Sequence, residues 1–509
     1  MNPKHRPLAG LSSPAFHYLL ALLSGILAHL AFAPYPLWPL LPLSLALLLW
    51  QTRGKSAATA GRLGWAWGFG LFAAGIRWVH VSIDTFGGMP LGVSLALMAL
   101  LCLYLAIYPA LALYLLNRFF SHSLLSRTLA FPALWLVAEW LRGKMLTGFP
   151  WLWSGYSQLD GPMASLAPVI GALGLGMAVS FLAAGLAALA QGRWRYGMIP
   201  LCLVLLSVLA TWAPRPQQDG RTLDVALVQG NIAQSLKWEP ENLWPTLTRY
   251  QDMSRPHFDA DLIIWPEAAV PAPEVMVKDF LVMLDAALKE ADTPLISGII
   301  SMDPDKNFYN SLLTLGEWQQ VPLLPTDPGR YHKHQLLPIG EFVPMEDLLR
   351  PLAPFFNLPM SSFARGDFLQ PNLSAAGVTL APAICYEIAF PELVRSNVHA
   401  DTDLLLTVSN DAWFGDSIGP HQHMAIARMR SLELGRPLLR VTNNGITAVV
   451  DERGQITAQL PQFEQGVLRT DVSLVQGQTW FNRLGQDPLY ALAVLLLVLS
   501  AWAGRRARD

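Results

Sequence analysis

Eight runs of apolar residues constrain this chain more than any other feature. Seven lie before residue 214, at 15–33, 37–50, 65–81, 91–116, 128–141, 163–189 and 198–212; the eighth is 489–502. Inside a bilayer each backbone N–H and C=O must be satisfied within its own segment, so such runs fold as helices. Runs 37–50 and 128–141 are shorter than the ~20 residues of a perpendicular crossing, which leaves tilted, thinned or partly re-entrant geometry open for them. The expectation is a polytopic α-helical bundle of about eight transmembrane helices. Composition agrees: 52% of residues are hydrophobic and 14% charged, against about 25% charged in an ordinary soluble domain. A formal net charge of −2, with no clustered Lys/Arg stripe, excludes nucleic acid as a partner.

Basic residues orient the bundle. Lys4 and Arg6, then Arg53, Lys55 and Arg62, then Arg118 and Arg127, then Arg193 and Arg195, and finally Arg505, Arg506 and Arg508 fall in alternate connections, as cytoplasmic loops should. Both termini therefore read as cytoplasmic, and seven crossings put residues 213–487 on the far side, the periplasm of a bacterium with an inner membrane. Polarity changes near Pro214 and again near Pro488. The division is a bundle at 1–213, an extramembrane domain at 214–487, and a last helix with a basic tail at 488–509. A removable leader is not expected, because the first run is full length and further runs follow it.

The extramembrane stretch alternates strand and helix patterns. Val/Ile/Leu-rich runs at 224–229, 261–265, 294–300, 311–315, 378–386, 404–409, 438–450 and 467–472 read as strands. Helices fit 241–253, 273–289, 391–399 and 421–434, with turn chemistry at Asn443-Asn444-Gly445 and Glu452-Arg453-Gly454. Helices packed on sheets give a layered α/β domain. Segment 344–367 carries Phe355, Phe356, Leu358, Met360 and Phe363. It is too apolar for a solvated linker and too irregular for a core element, so it reads as a lid at the membrane surface.

Cys102 and Cys202 lie inside apolar runs, where they read as small hydrophobes. Cys385 is the only cysteine of the extramembrane stretch. It is either an inert buried thiol or a reactive one, and two further residues favour the second reading: Glu267 in Trp265-Pro266-Glu267 and Lys333 in Tyr331-His332-Lys333-His334. A thiol with a carboxylate base and an ammonium partner implies acyl transfer through a thioester. Lys333 is expected to lower the thiol pKa and to bind the oxyanion, while Glu267 takes the proton. The backbone N–H of Tyr386 is a further oxyanion donor by analogy with other nucleophile turns.

Glu139 and Arg142 have the spacing of a helical ion pair, and Phe149, Trp151, Trp153 and Tyr156 follow as an aromatic run. That run reads as an interfacial belt or as the mouth through which lipid enters. Arg77 and His80 need only a helix end at headgroup level. His332, His334, His421 and His423 lack metal-ligand spacing, and no glycine-rich phosphate motif is present. Neither metal nor nucleotide is expected, and no cofactor.

Taken together, Val228-Gln-Gly-Asn-Ile, Ser235-Leu-Lys-Trp, Trp265-Pro-Glu, Tyr331-His-Lys, Gly340-Glu-Phe-Val-Pro, Ile384-Cys-Tyr-Glu, Ser409-Asn-Asp-Ala-Trp-Phe and Val441-Thr-Asn-Asn-Gly-Ile-Thr make the whole chain resemble the apolipoprotein N-acyltransferases, membrane-embedded members of the nitrilase superfamily. The resemblance implies an αββα nitrilase-like sandwich outside the bundle. It implies a Glu267–Lys333–Cys385 triad that moves an acyl chain from a phospholipid to the N-terminal S-diacylglyceryl cysteine of apolipoproteins, the final step of bacterial lipoprotein maturation. Glu341 and Glu387 match supporting acids, although periodicity alone leaves Glu387 as readily a surface charge. Trp238 faces the lipid chain or the lipoprotein, or merely packs the domain. Phe149, Trp151, Phe355 and Phe356 are the remaining candidate substrate contacts. A monomer is expected. Two other functions stay open: a membrane-tethered amidase, which would need only an anchor, and a transporter or scaffold, which would show symmetric halves.

Overall fold

A computed structural model describes residues 13–324, 326–338, 340–342 and 362–507. The chain divides into two compact units, Met1–His80 with Pro90–Trp212 and Gln486–Asp509, and Val81–Met89 with Ala213–Gly485.

The first unit is helical: Pro14–Ala28, Leu40–Thr52, Ala57–Gly75, Leu91–Leu105, Ile107–Phe119, Leu124–Arg142, Ala167–Leu189, Met198–Ala210 and Asp487–Arg506. Among the described residues five helical runs are long and apolar enough to cross a membrane: Pro14–Ala31, Leu91–Phe119, Leu124–Arg142, Ala164–Leu189 and Asp487–Arg506. Leu40–Thr52 and Trp194–Ala210 are apolar but shorter. Side chains such as Leu201, Val204, Leu205, Val494 and Val498 point outward, which suits a hydrocarbon solvent and not water. Two boundaries differ from the sequence reading. Run 65–81 is instead Ala57–Gly75, because Ser56 caps the helix through Thr59 N and starts it before the apolar stretch. Run 128–141 is the longer Leu124–Arg142, started by Ser123 accepting from Ser126 N.

The second unit contains two sheets. One runs, in spatial order, Gly466–Gln476, Gln217–Gln229, Leu262–Ile264, Leu295–Met302, Phe308–Leu315 and Arg330–His332, with Val270–Pro273 also pairing to Leu295–Met302. The other runs Ile456–Gln459, Ala448–Val450, Leu438–Thr442, Leu404–Ser409, Val378–Ile384 and Leu373–Ala375. The centre of each sheet is parallel and its outer pairs are antiparallel. Successive residues of a strand face opposite sides, and the core obeys that period. Val225, Leu227, Leu262, Ile264 and Ile296 of the first sheet share one apolar layer with Leu380, Ile384, Leu406, Val408 and Leu439 of the second. Their neighbours Ala226, Val228, Ile263 and Leu295 turn the other way and pack on Leu247 and Tyr250 of helix Leu243–Ser254 and on Leu281, Leu284 and Leu288 of helix Lys278–Ala291. This is the helix-on-sheet, sheet-on-sheet layering of an α/β sandwich.

Three elements depart from the sequence reading here. Segment 273–289 is not one helix: Val270–Pro273 is a short strand, Glu274–Met276 a single turn, and the helix starts at Lys278. Pro273 cannot donate to a ladder, which suits an edge position. Segment 438–450 is a hairpin that turns back at Asn443-Asn444-Gly445. Segment 378–386 ends as a strand at Ile384, and Cys385–Ala389 is a tight helical turn. Most of the segment expected to form a lid, including Phe355 and Phe356, lies outside the described residues.

Candidate active site

Each member of the expected triad sits just beyond the end of a strand, where backbone leaves the ladder and side chains can converge. Glu267 follows Leu262–Ile264 on the turn Pro266-Glu267-Ala268, and Ala268 has φ of 46°. That turn crosses directly over Gly298: a Cβ there would lie 2.4 Å from both Pro266 O and Ala268 N, and 2.7 Å from Glu267 Cα. Only a residue without a side chain lets the two backbones approach so closely. Lys333 follows Arg330–His332, its N–H donating to Asn310 O at 2.8 Å and its carbonyl accepting from Gly366 N at 2.9 Å. Cys385 follows Val378–Ile384 with φ of 52°, a left-handed conformation that non-glycine residues adopt at a cost of about 1–3 kcal/mol and that clusters at functional turns.

Glu267, Lys333 and Glu341 form one buried network. Lys333 Nζ donates to Glu341 Oε1 at 2.9 Å and to Glu267 Oε1 at 3.3 Å. Asn310 Nδ2 bridges the same two oxygens, at 2.8 Å each. Asn410 N donates to Glu267 Oε2 at 2.8 Å, and Lys237 Nζ to the Glu267 carbonyl at 2.9 Å. Burial pushes the Glu267 carboxyl up, but Lys333, Asn310, Lys237 and Asn410 outweigh it, so the group is held below the ordinary carboxylate value. Burial also opposes the charge on Lys333, and Glu341, Glu267 and Cys385 override it, leaving the ammonium firmly protonated.

The thiol behaves differently from expectation. Burial, then Glu267 and Asp411, push Cys385 up, and Lys333 and a Ser409 hydrogen bond recover only part of that. Lys333, shared between two carboxylates, cannot hold a resting thiolate against burial, so Cys385 rests as a neutral thiol beside the ionised Glu267 carboxylate.

Glu387 is not a surface charge. It is fully buried; Oε1 accepts from His334 N at 2.7 Å and Gln335 N at 3.0 Å, and Oε2 from Ile384 N at 2.7 Å and Tyr331 OH at 3.0 Å. Four donors from two chain segments meet on one carboxylate, which clamps the nucleophile turn to the segment carrying Lys333. Burial still raises its carboxyl to about 7 against the opposition of Ile384, Gln335, Lys333 and His334. The tight turn explains why spacing misled: Glu387 is not on an extended strand beside Cys385. Tyr386 is buried with its ring edge-on to Phe390, centroids 5.0 Å apart.

The opposite side of the nucleophile is held by an assembly the sequence did not announce. His423 Nε2 lies 3.1 Å from Cys385 O, and its Nδ1 lies 3.0 Å from Asp411 Oδ1. Arg440 Nη2 donates to Asp411 Oδ2 at 2.7 Å. The other histidines are similarly engaged: His332 Nδ1 with Ser311 Oγ at 2.7 Å, His334 Nδ1 with Gly366 O at 2.8 Å, and His421 Nε2 with Gln462 Nε2 at 3.3 Å. The turn Asp411–Phe414 is in turn gripped by Val81–Met89, through Ser82 Oγ donating to Trp413 O at 2.7 Å and Phe86 edge-on to Trp413.

Trp238 is half-buried with Lys237 Nζ 5.8 Å from its ring centroid. In the helical unit, Trp151 is buried against Trp78, with Phe149 stacked 6.2 Å away. Arg142 donates to the carbonyls of Phe149, Trp151 and Leu152, while Glu139 accepts from Ser154 N and Oγ. That pair folds the aromatic run back onto its own helix, a structural duty. Asn310, Lys237 and Asn410 were missed by sequence reasoning as site residues. Lys237 and Asn410 lie inside quoted motifs, so membership of a motif was their only signal; Asn310 had none.

Known proteins show the same two-part organisation. The sequence profile of the apolipoprotein N-acyltransferase N-terminal domain matches residues 24–189, and that of carbon-nitrogen hydrolase matches residues 224–481. The apolipoprotein N-acyltransferase of Shewanella oneidensis is 56% identical over 497 residues, covering 95% of each chain. That of Vibrio vulnificus is 54% identical over 492 residues, 96% of this chain and 97% of its own. That of Vibrio cholerae is 53% identical over 494 residues, 96% and 98% respectively. Apolar helices in one unit, a carbon-nitrogen hydrolase sandwich in the other, and this depth of identity along nearly the full length lead to one assignment: the chain belongs to the apolipoprotein N-acyltransferase family.

Proposed function

We propose that this protein transfers an acyl chain from a membrane phospholipid, through a thioester on Cys385, to the α-amino group of the N-terminal S-diacylglyceryl cysteine of an apolipoprotein. The observation that carries this reading is the buried Lys333–Glu267–Glu341–Asn310 network beside a half-buried thiol on a strained turn. Glu267 takes the Sγ–H proton as Sγ attacks the donor ester carbonyl. Lys333 and the Tyr386 N–H stabilise the oxyanion. The C–O bond then breaks, and Glu267 returns the proton to the departing lysophospholipid oxygen. In the second half the acceptor amine attacks the thioester, Glu267 accepts an amine proton, the C–S bond breaks, and the thiolate is reprotonated. Glu341 and Asn310 hold base and ammonium in register, and Glu387 holds the nucleophile turn.

Around this chemistry, residues 1–213 and 488–509 form a bundle of about eight crossings in the bacterial inner membrane. Residues 214–487 face the periplasm as the catalytic domain of a monomer. Trp238, Phe149, Phe355 and Phe356 meet the acyl chain or the lipoprotein, whereas Trp151, enclosed against Trp78, packs the helical unit. Intact-mass spectrometry tests the mechanism. Incubation with phospholipid alone is expected to leave an acyl-sized adduct that hydroxylamine removes and that Cys385→Ala lacks. Acyl transfer proceeding in the Cys385→Ala protein sinks the reading.

A further inference from the structure

Lys237 has no role in the steps above, yet it is a buried ammonium inside the site. Its side chain is 3% exposed. Its Nζ donates to the Glu267 carbonyl at 2.9 Å and lies 5.8 Å from the Trp238 ring centroid, and its charge interacts with both Glu267 and Cys385. The short helix Gln234–Lys237 that carries it is anchored independently. Gln234 Oε1 accepts from Asn410 Nδ2 at 2.6 Å, and Asn410 N is the donor to Glu267 Oε2. A lysine is costly to bury unless something needs its charge.

Counting the charges around Cys385 identifies that need. Glu267 and Glu341 are two anions that share Lys333. Asp411, a further carboxylate that acts on the thiol, is matched by the Arg440 guanidinium at 2.7 Å. Glu387, whose carboxyl also feels Lys333, is held by its own donors, three backbone N–H groups and Tyr331. With Lys333 alone the site already carries one net negative charge while Cys385 is still a thiol.

We propose that Lys237 is an electrostatic positioning residue: its ammonium, with that of Lys333, balances Glu267 and Glu341, so that the Cys385 thiol ionises in a site of zero net charge and not in one that is already negative. Burial lowers Lys237 to about 8, against Glu267 and Cys385, so the cation is present at neutral pH. The inference rests on Cys385 being the nucleophile.

Thiol reactivity tests it without acyl transfer. The rate of Cys385 alkylation by iodoacetamide, resolved from Cys102 and Cys202 by peptide mass spectrometry, is followed from pH 6 to 10 in the full-length protein. Lys237→Met and Lys237→Gln, each verified as folded by thermal unfolding, are both expected to react about tenfold more slowly at pH 7, a lag of roughly one pH unit that closes above pH 8 as Lys237 of the wild-type protein loses its own proton. Glu341→Gln in the Lys237→Met background removes one anion as well and is expected to bring the profile back. Lys237→Gln keeps a donor for the Glu267 carbonyl, so a purely structural anchor would leave its profile at the wild-type position. That result, or an unmoved profile in both variants, overturns the proposal. Should Lys237→Met fail to fold, Lys237→Gln carries the same expectation alone. Failure of the nucleophile reading is distinguishable, because it would appear as acyl transfer in Cys385→Ala whatever the alkylation profiles do.

Discussion

Lys333 serves two carboxylates at once, so removing it has two separable effects. Lys333→Ala is expected to slow Cys385 acylation at least ~100-fold, the scale of one lost oxyanion donor. It also leaves Glu267 and Glu341 buried together without the cation that bridges them, so the folded state should lose about 3–5 kcal/mol, visible as a lowered melting temperature. A purely catalytic role, expected from sequence, would have spared stability. Lys333→Arg should not restore acylation, since a planar fork cannot take the place of a compact ammonium between Glu341 and Glu267. Near-normal acylation by either variant removes Lys333 from the mechanism. Glu387 makes a pH-dependent prediction. Its carboxyl at about 7 lies above the ~4.3 of an unfolded chain. The protonated form is therefore favoured by folding: its contribution is complete below ~4.3 and is lost as pH rises through 7. The stability difference between the wild-type protein and Glu387→Gln should shrink by a few kcal/mol from pH 5 to pH 8; a difference independent of pH would show that Glu387 does not titrate in this range.

At the scale of elements, the site depends on strand ends and on what lies beneath them. Gly298→Ala inserts a methyl 2.4 Å from Pro266 O and Ala268 N, so the Glu267 turn must lift. Acylation is expected to collapse, with about 1–3 kcal/mol of stability lost to overpacking; an acylation rate within twofold of wild type would show that the turn tolerates the displacement. The central strands were legible because fully buried strands read as continuous Val/Ile/Leu runs. The nucleophile turn was not, because Ala383-Ile384-Cys385-Tyr386 has strand-like residue types and only backbone φ reveals the break. Arg330–His332, Leu373–Ala375 and Ile456–Gln459 are too short for a period to register. The three residues proposed as the triad could be picked out by residue type and order. Its supports could not, because Asn310, Lys237, Asn410 and His423 come from four separate elements and are joined only by the fold.

For the molecule as a whole, the outstanding question is how a lipid leaves a bilayer for a buried network. Replacing Phe355 and Phe356 by Ser should slow acylation from bilayer phospholipid far more than acylation from a short-chain, water-soluble ester, since the small ester reports the triad directly. Equal slowing would assign the segment to the catalytic centre, and no slowing would make it a passive connection. A last consequence comes from the resting state of Cys385, neutral and partly enclosed. Peroxides and disulfides react with thiolates, hardly at all with thiols. A nucleophile that ionises only when Glu267 takes its proton is thereby chemically quiet between turnovers, and in oxidising surroundings such a protein should keep its activity through peroxide exposure that silences a cysteine enzyme with a resting thiolate.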